Sequence, residues 1–201
     1  QGLYPPGSTF KTVTALAGME YLSDWQNFQV ECTGERVFQD KVIHCYNNKV
    51  HGMVDMKSAL AYSCNCYFAA LADEIGAGKL AKTMRQVGMD ADSRFELETS
   101  RNSIYLAKGA TESELVETAI GQGRTGVTPL YMAMLASAFA NDGMMMKPYI
   151  VDHVVYPDGT ETKNTVPEKL TEICTAEEAA AIKDMMIGVV SGGTGTAAAI
   201  N

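Results

Sequence analysis

Start and stop signals for helices recur along this chain at intervals that leave room for little besides a mostly helical domain. Thr111 with Glu114, and Thr175 with Glu178, each set a hydroxyl cap three residues before a glutamate, the pattern that satisfies two free backbone N–H groups reciprocally. Thr128-Pro129 puts a cap ahead of a proline at the first helical position. Asp55 caps a short helix through Met56, Ala59 and Leu60. Glycines close the segments at Gly76, Gly88, Gly121-Gln122-Gly123, Gly143 and Gly192-Gly193. Between these marks apolar residues fall three and four apart, each set forming one buried stripe. Phe68, Leu71, Ala72 and Ile75 belong to a helix over 63–75; Leu80, Met84 and Val87 to one over 78–87. Leu115, Ala119 and Ile120 follow Thr111, Leu130, Met134, Leu135 and Phe139 follow Thr128, and Ile182, Met185, Met186 and Val189 follow Thr175.

Strand signals are few. Asp24 to Val50 reads as an extended hairpin or loop with strands near Phe28–Cys32 and Val42–Tyr46. Tyr149 to Tyr156 alternates as a strand should and runs into a Pro157-Asp158-Gly159 turn, while Asp90 to Lys108 is polar and irregular. The fold class is therefore mainly α with small β hairpins, and no sheet long enough to organise the whole.

At 201 residues, with 46% hydrophobic and 20% charged residues, the chain can bury a real core and is not a disordered segment. A net charge of −8 without any basic run argues against nucleic acid as a partner. No apolar stretch reaches the length of a bilayer crossing. No signal-peptide pattern is present, and a start at Gln1 without methionine suggests a piece of a longer protein. The five cysteines, an odd number, cannot form a complete disulfide framework. Cys32 and Cys45 flank the first hairpin and are either a bridge in an oxidising compartment or two buried thiols. Cys64 and Cys66, two apart in an apparent helix, are expected to point away from each other, which excludes a zinc knuckle. No cofactor or metal is expected.

The chemistry concentrates at Tyr4-Pro5-Pro6-Gly7-Ser8-Thr9-Phe10-Lys11, which opens a helix running to about Leu22. Ser8 and Lys11 are three apart and share a face, so the amine is within reach of the hydroxyl it would deprotonate. The first helical turn also offers free N–H groups to a developing anion. Ser-x-x-Lys alone recurs by chance about once in a couple of hundred residues, and taken by itself a helix cap beside a solvated lysine is the better explanation. A second pattern moves the balance. Ser63-Cys64-Asn65 combines a hydroxyl able to relay a proton with an amide able to hold a substrate amide through both its carbonyl and its NH₂. Ser100-Arg101-Asn102 repeats the spacing, but in a polar run suited to a solvated loop.

With both motifs in view, the chain resembles the transpeptidase domain of a penicillin-binding protein, for which Ser-x-x-Lys, a Ser-x-Asn element and Lys-Thr-Gly are characteristic. The wording around Ser8 is similar to the monofunctional, class B branch. His51-Gly52-x-Val54-Asp55, Ala59-Leu60-x-x-Ser63-Cys64-Asn65-x-Tyr67-Phe68 and Ile120-Gly121-Gln122-Gly123 match family wording in family order, as do Thr128-Pro129-Leu130-x-Met132-Ala133 and Ala140-Asn141-Asp142-Gly143. The resemblance covers essentially residues 1–201, as a partial transpeptidase domain. It implies the helical subdomain of the α+β fold shared with serine β-lactamases, with most of the central sheet outside this chain.

The resemblance also implies D,D-transpeptidation of peptidoglycan stem peptides. Ser8 would attack the D-alanyl-D-alanine end, with Lys11 as its base. Ser63 would pass a proton to the leaving nitrogen, Asn65 would hold the acyl side-chain amide, and Gln122 would line the cleft. His51 is read as structural. β-Lactams would be covalent inhibitors. The parent would be anchored by a single pass at the extracytoplasmic face of the bacterial cytoplasmic membrane, with cell-wall synthesis proteins as partners.

One departure stands out. Thr194-Gly195-Thr196 looks like the third motif, yet Gly193 holds the lysine position, and Val189-Val190-Ser191-Gly192-Gly193-Thr194-Gly195 matches the family segment just before that motif. Without the sheet that supplies one cleft wall and one oxyanion donor, these residues alone are expected to be nearly inactive, since a single such donor is worth on the order of a hundredfold. The rivals are a serine β-lactamase, whose water-activating glutamate Glu98 beside Asn102 imitates, and a β-lactam sensor domain. Cys64 in place of the lactamase aspartate counts against the first.

Overall fold

A computed structural model describes residues 2–106 and 109–200. A 3-10 turn, Gly7–Phe10, runs without a break into α1, Lys11–Tyr21. There follow α2 (Met56–Ala61), α3 (Asn65–Ile75), α4 (Ala77–Gln86), α5 (Glu112–Ala119), α6 (Pro129–Ala140) and α7 (Ala176–Gly192). The sequence caps form as expected. Thr111 and Thr175 close reciprocal boxes with Glu114 and Glu178, Thr128 accepts from the Tyr131 N–H, and Asp55 closes a box with Ser58.

Helix α1 is the axle of the domain. It packs against α2, α3, α4 and α7, while α5 lies on α3 and α6 on α7. Small residues on α1 let the neighbours approach: a Cβ on Gly18 would stand 2.8 Å from Leu71 Cδ2 and 3.0 Å from Met56 Cε. Phe10, Leu16, Tyr67, Phe68, Leu71 and Phe139 fill one contiguous core. In its midst lies Lys11, the one fully buried charged side chain among the described residues. Thr14, on the next turn, donates to the Ala119 carbonyl at 2.7 Å and ties α1 to the end of α5.

Eight short strands form four antiparallel pairs among the described residues. They are β1 (Val30–Cys32), β2 (Glu35–Phe38), β3 (Lys41–His44), β4 (Gly52–Val54), β5 (Met144–Met146), β6 (His153–Val155), β7 (Glu161–Asn164) and β8 (Lys169–Glu172). The first hairpin differs from expectation in its pairing. β1 does not meet β3 but β4, with Val30 opposite Val54 and Cys32 opposite Gly52; β2 and β3 make their own hairpin with Glu35 opposite His44. β2 carries no strand signal in the sequence, because three of its four residues are exposed and leave no alternation. The strand expected over 149–156 shrinks to His153–Val155, because Glu96 takes the Ile150 and Val151 N–H groups at 3.0 and 3.3 Å. Residues 90–106 are irregular, as expected; Ala107 and Lys108, the end of that stretch, lie outside the described residues. No helix among the described residues is long and apolar enough to cross a membrane.

Candidate active site

The segment before Ser8 is clamped to the segment that follows α5. Tyr4 and Val127 exchange two backbone bonds of 2.9 Å, and Gly7 N–H donates to Gly121 O at 2.9 Å. Gly121 has φ +74, and a Cβ there would lie 1.9 Å from the Gly7 carbonyl oxygen, so only glycine allows this approach. Ser8 thus stands exposed at the second position of the turn that leads into α1, and Lys11 dives into the core one turn on.

The other half of the site comes from the junction of α2 and α3. Ser63 N–H donates to Leu60 O at 3.1 Å and Cys64 N–H to Ala59 O at 2.8 Å, ending α2 in a tight turn that holds Ser63 at φ +55. Helix α3 therefore begins at Asn65, two residues later than the sequence suggests. This left-handed residue turns both Ser63 oxygens toward Lys11. A non-glycine residue in that region carries strain, and such strain concentrates at functional positions.

Four sequence-designated residues meet here. Lys11 Nζ lies 3.2 Å from Ser8 Oγ, 2.9 Å from Ser63 Oγ, 2.8 Å from Ser63 O and 2.6 Å from Asn65 Oδ1. Ser63 Oγ and Ser8 Oγ are 2.8 Å apart, and Asn65 Nδ2 donates to His44 O at 2.8 Å. An ammonium has three N–H groups for these four oxygens; a neutral amine can accept from Ser8. Burial pushes the Lys11 pKa down from 10.5 to about 8, against the opposing pull of Cys64, Cys45 and Cys66. Near neutral pH the amine is thus within reach of the form that accepts a proton. Ser8 and Ser63 open onto a groove of about 360 Å³ lined mainly by apolar side chains, among them Leu60, Leu135, Phe139 and Val189.

The remaining designated residues fall elsewhere. Gln122 is exposed beside the Gly7–Gly121 clamp, and its side chain bonds none of the four among the described residues. Asn102 of the second Ser-x-Asn accepts from Thr128 N–H at 2.8 Å and so supports the start of α6. Glu98 and Asn102 line a separate cavity that contains neither Ser8 nor Lys11, which removes the lactamase-like glutamate from the reacting serine. Thr194, singled out only as part of an imperfect third motif, lines the groove with Ser8 and Ser63 and is pinned by its N–H to Ala61 O at 3.0 Å.

The cysteines require a correction. Cys64 is the cap residue of α3, with extended backbone, so the helical spacing that should separate it from Cys66 does not apply. Both sulphurs face Cys45 Sγ, at 3.8 and 3.6 Å, and Cys32 Sγ is 3.7 Å from Cys45 Sγ. All five cysteines are buried free thiols, without the Cys32–Cys45 bridge. Hydrogen bonds from Cys64 and then Cys66 push the Cys45 thiol down, and the same bonds push both donors up. His51 Nδ1 is 3.4 Å from Cys32 Sγ, with its ring stacked on Tyr62. It does not bond Ser8, in keeping with the structural reading.

A helical domain that carries a hydroxyl, a buried amine, a second hydroxyl and an amide in one cluster defines the active-serine class of α+β domains. Within that class the chain belongs to the penicillin binding protein transpeptidase domain family, whose model matches residues 1–201. It is 28% identical to the peptidoglycan D,D-transpeptidase MrdA of Acinetobacter baumannii over 97% of this chain, and 31% identical to the peptidoglycan D,D-transpeptidase PbpA of Mycolicibacterium smegmatis over 92%. It spans only 31% and 38% of those relatives' lengths. Among solved structures, the D,D-transpeptidase domain of a peptidoglycan glycosyltransferase from Eggerthella lenta superposes with a TM-score of 0.86 at 30% identity, covering 99% of this chain and 51% of that one. The imipenem acyl-enzyme of penicillin-binding protein A from M. tuberculosis gives a TM-score of 0.87 at 26% identity, covering 98% and 46%.

Proposed function

We propose that residues 1–201 form the serine-bearing part of a D,D-transpeptidase that cross-links peptidoglycan stem peptides ending in D-Ala-D-Ala. The observation that carries this reading is the contact of Ser8 Oγ with both Lys11 Nζ and Ser63 Oγ, at 3.2 and 2.8 Å, over a lysine whose pKa burial lowers to about 8. Neutral Lys11 takes the Ser8 hydroxyl proton as Oγ bonds the carbonyl carbon of the penultimate D-alanine, and the carbonyl electron pair moves onto oxygen. The Ser8 N–H, in the first turn and without an acceptor among the described residues, donates to that oxygen. The C–N bond then breaks, and the proton held on Lys11 passes through Ser63 Oγ to the departing D-alanine nitrogen. An amine from a neighbouring strand attacks the acyl-serine and surrenders its proton along the same path, which regenerates Ser8.

Asn65 orients the acyl side-chain amide. The activity is that of the complete native chain, held by a single anchor at the outer face of the cytoplasmic membrane among cell-wall synthesis proteins. β-Lactams acylate the same serine. Intact-mass measurement of that chain after incubation with penicillin tests the assignment. One long-lived adduct, lost in Ser8→Ala, is expected. An adduct that persists in Ser8→Ala refutes the nucleophile, and rapid hydrolysis of the adduct would make the protein a β-lactamase.

A further inference from the structure

We propose that Cys32, Cys45, Cys64 and His51 form a tetrahedral site for one thiophilic divalent cation of the zinc class, seated directly beneath the Ser63–Asn65 turn. Their four ligand atoms lie within 4.8 Å of one another, and the three cysteines are buried. The spacing fits such a cation. Zn–S bonds of about 2.3 Å at tetrahedral angles place two sulphurs about 3.8 Å apart, and a Zn–N bond of about 2.1 Å brings sulphur and nitrogen to about 3.6 Å. The structure has 3.7 Å for Cys32–Cys45, 3.8 Å for Cys45–Cys64 and 3.4 Å for Cys32 Sγ to His51 Nδ1.

The ligands also come from the places where a staple is useful. Cys32 ends β1, Cys45 follows β3, His51 leads into β4, and Cys64 starts α3. The β2–β3 hairpin lies between the first two, and its exposed faces bury little apolar surface of their own. Stacking on Tyr62, with ring centroids 5.9 Å apart and planes 9° apart, holds the His51 imidazole in place. Cys66, 3.6 Å from Cys45 and 4.0 Å from Ile43 O, is outside the four and supports Cys45 from behind. A disulfide explains the cluster less well. One bridge would use two sulphurs and leave another thiol and an imidazole crowded against it.

Loading exchanges three thiol protons for the cation, and the protons leave to solvent. The site bears on the active serine through the chain itself: Cys64 lies between Ser63 and Asn65, and Cys45 follows His44, whose carbonyl receives the Asn65 amide. The cation is thus a positioning element for the second motif and takes no part in acyl transfer.

The test is metal analysis of the untagged native chain, purified without chelator, together with replacement of the bound metal by Co(II). About one zinc per chain is expected, and the cobalt form should show sulphur-to-metal charge transfer with the intense visible bands of a tetrahedral site. Cys45→Ser should lose the metal, and His51→Ala should retain it more weakly with shifted cobalt bands. Metal well below one per chain, or an octahedral cobalt spectrum in the wild type, overturns the proposal whether or not the cysteine variant folds. Full metal retention in Cys45→Ser overturns it as well. Loss in Cys66→Ser with an unshifted His51→Ala spectrum overturns the ligand set. None of these readouts depends on acylation, so they stand apart from the assignment of Ser8.

Discussion

Replacing Lys11 by methionine should separate catalysis from stability. Met fills a similar volume without charge, and two effects on the fold oppose each other. Lys11 is fully buried, and its pKa falls from 10.5 to about 8. At about 1.4 kcal/mol per pKa unit, keeping it protonated below pH 8 costs roughly 3 kcal/mol, which methionine relieves. Against this, Ser63 O and Asn65 Oδ1 lose donors at 2.8 and 2.6 Å, at roughly 1–3 kcal/mol each. The terms largely offset, leaving between about 1 kcal/mol gained and about 3 kcal/mol lost, so Tm should move by less than about 12 °C, at about 2–4 °C per kcal/mol for a domain of this size. The acylation rate should nonetheless fall by about 10²–10⁴, the range of a lost general base. The assay is stopped-flow or intact-mass acylation by penicillin, run beside thermal unfolding on the same samples. The sign with pH provides a second check. Because the folded pKa of this base is depressed, the unfolded chain binds more protons between about pH 8 and 10.5, so Lys11 makes stability rise with pH across that window. That gain is lost as pH falls from about 10.5 to about 8, the folded pKa. The wild type should therefore gain stability relative to Lys11→Met across the same window, and its acylation rate should climb through about pH 8. Acylation by Lys11→Met within tenfold of wild type would refute the assignment of Lys11 as base.

Three further outcomes follow from the same geometry. Gly121→Ala forces a Cβ to within 1.9 Å of the Gly7 carbonyl at φ +74, so it should destabilise by about 2 kcal/mol or more, lower Tm by at least about 4 °C and slow acylation; unchanged melting would mean the clamp is not as close as described. Asn65→Asp sets a carboxylate against Lys11 Nζ, which favours the protonated amine, so the pH midpoint of acylation should move upward from about 8; a midpoint that stays or falls would separate Asn65 from Lys11. Gly18→Ala gains helix propensity of about 1 kcal/mol but overpacks the ends of Leu71 and Met56 by about 1–3 kcal/mol, so a modest net loss is expected in urea unfolding; a gain would show that those two side chains rotate aside freely.

The helices were legible in the sequence because their signals are local. A hydroxyl and a glutamate three residues apart specify a helix start whatever surrounds them, and Thr111, Thr128 and Thr175 all cap where the sequence places them. Strand pairing is not local. Nothing in Val30–Cys32 says that its partner is Gly52–Val54 and not the nearer Lys41–His44, since both readings keep the same residues inward. The strand over 149–156 failed for a related reason: its alternation was real, but Glu96, from a distant loop, captured the N–H groups a neighbouring strand would have used.

The site divides along the same line. Ser8 and Lys11 share one helical turn, so their proximity follows from spacing alone. That Ser63 and Asn65 stand opposite them required a resemblance, because the contact crosses 52 to 55 residues of chain. The sulphur cluster depends on one backbone conformation that residue spacing does not carry. Reading 63–75 as a continuous helix sends Cys64 and Cys66 to different sides, whereas the positive φ of Ser63 delays the helix to Asn65 and swings both toward Cys45. The residue that breaks the helical spacing is the one whose two oxygens hold Lys11. A turn of that kind is costly for serine, and it persists where contacts on both sides fix it: the Lys11 amine on one face, the packed sulphurs on the other. Catalytic geometry and the buried cysteine cluster are therefore two consequences of a single left-handed residue.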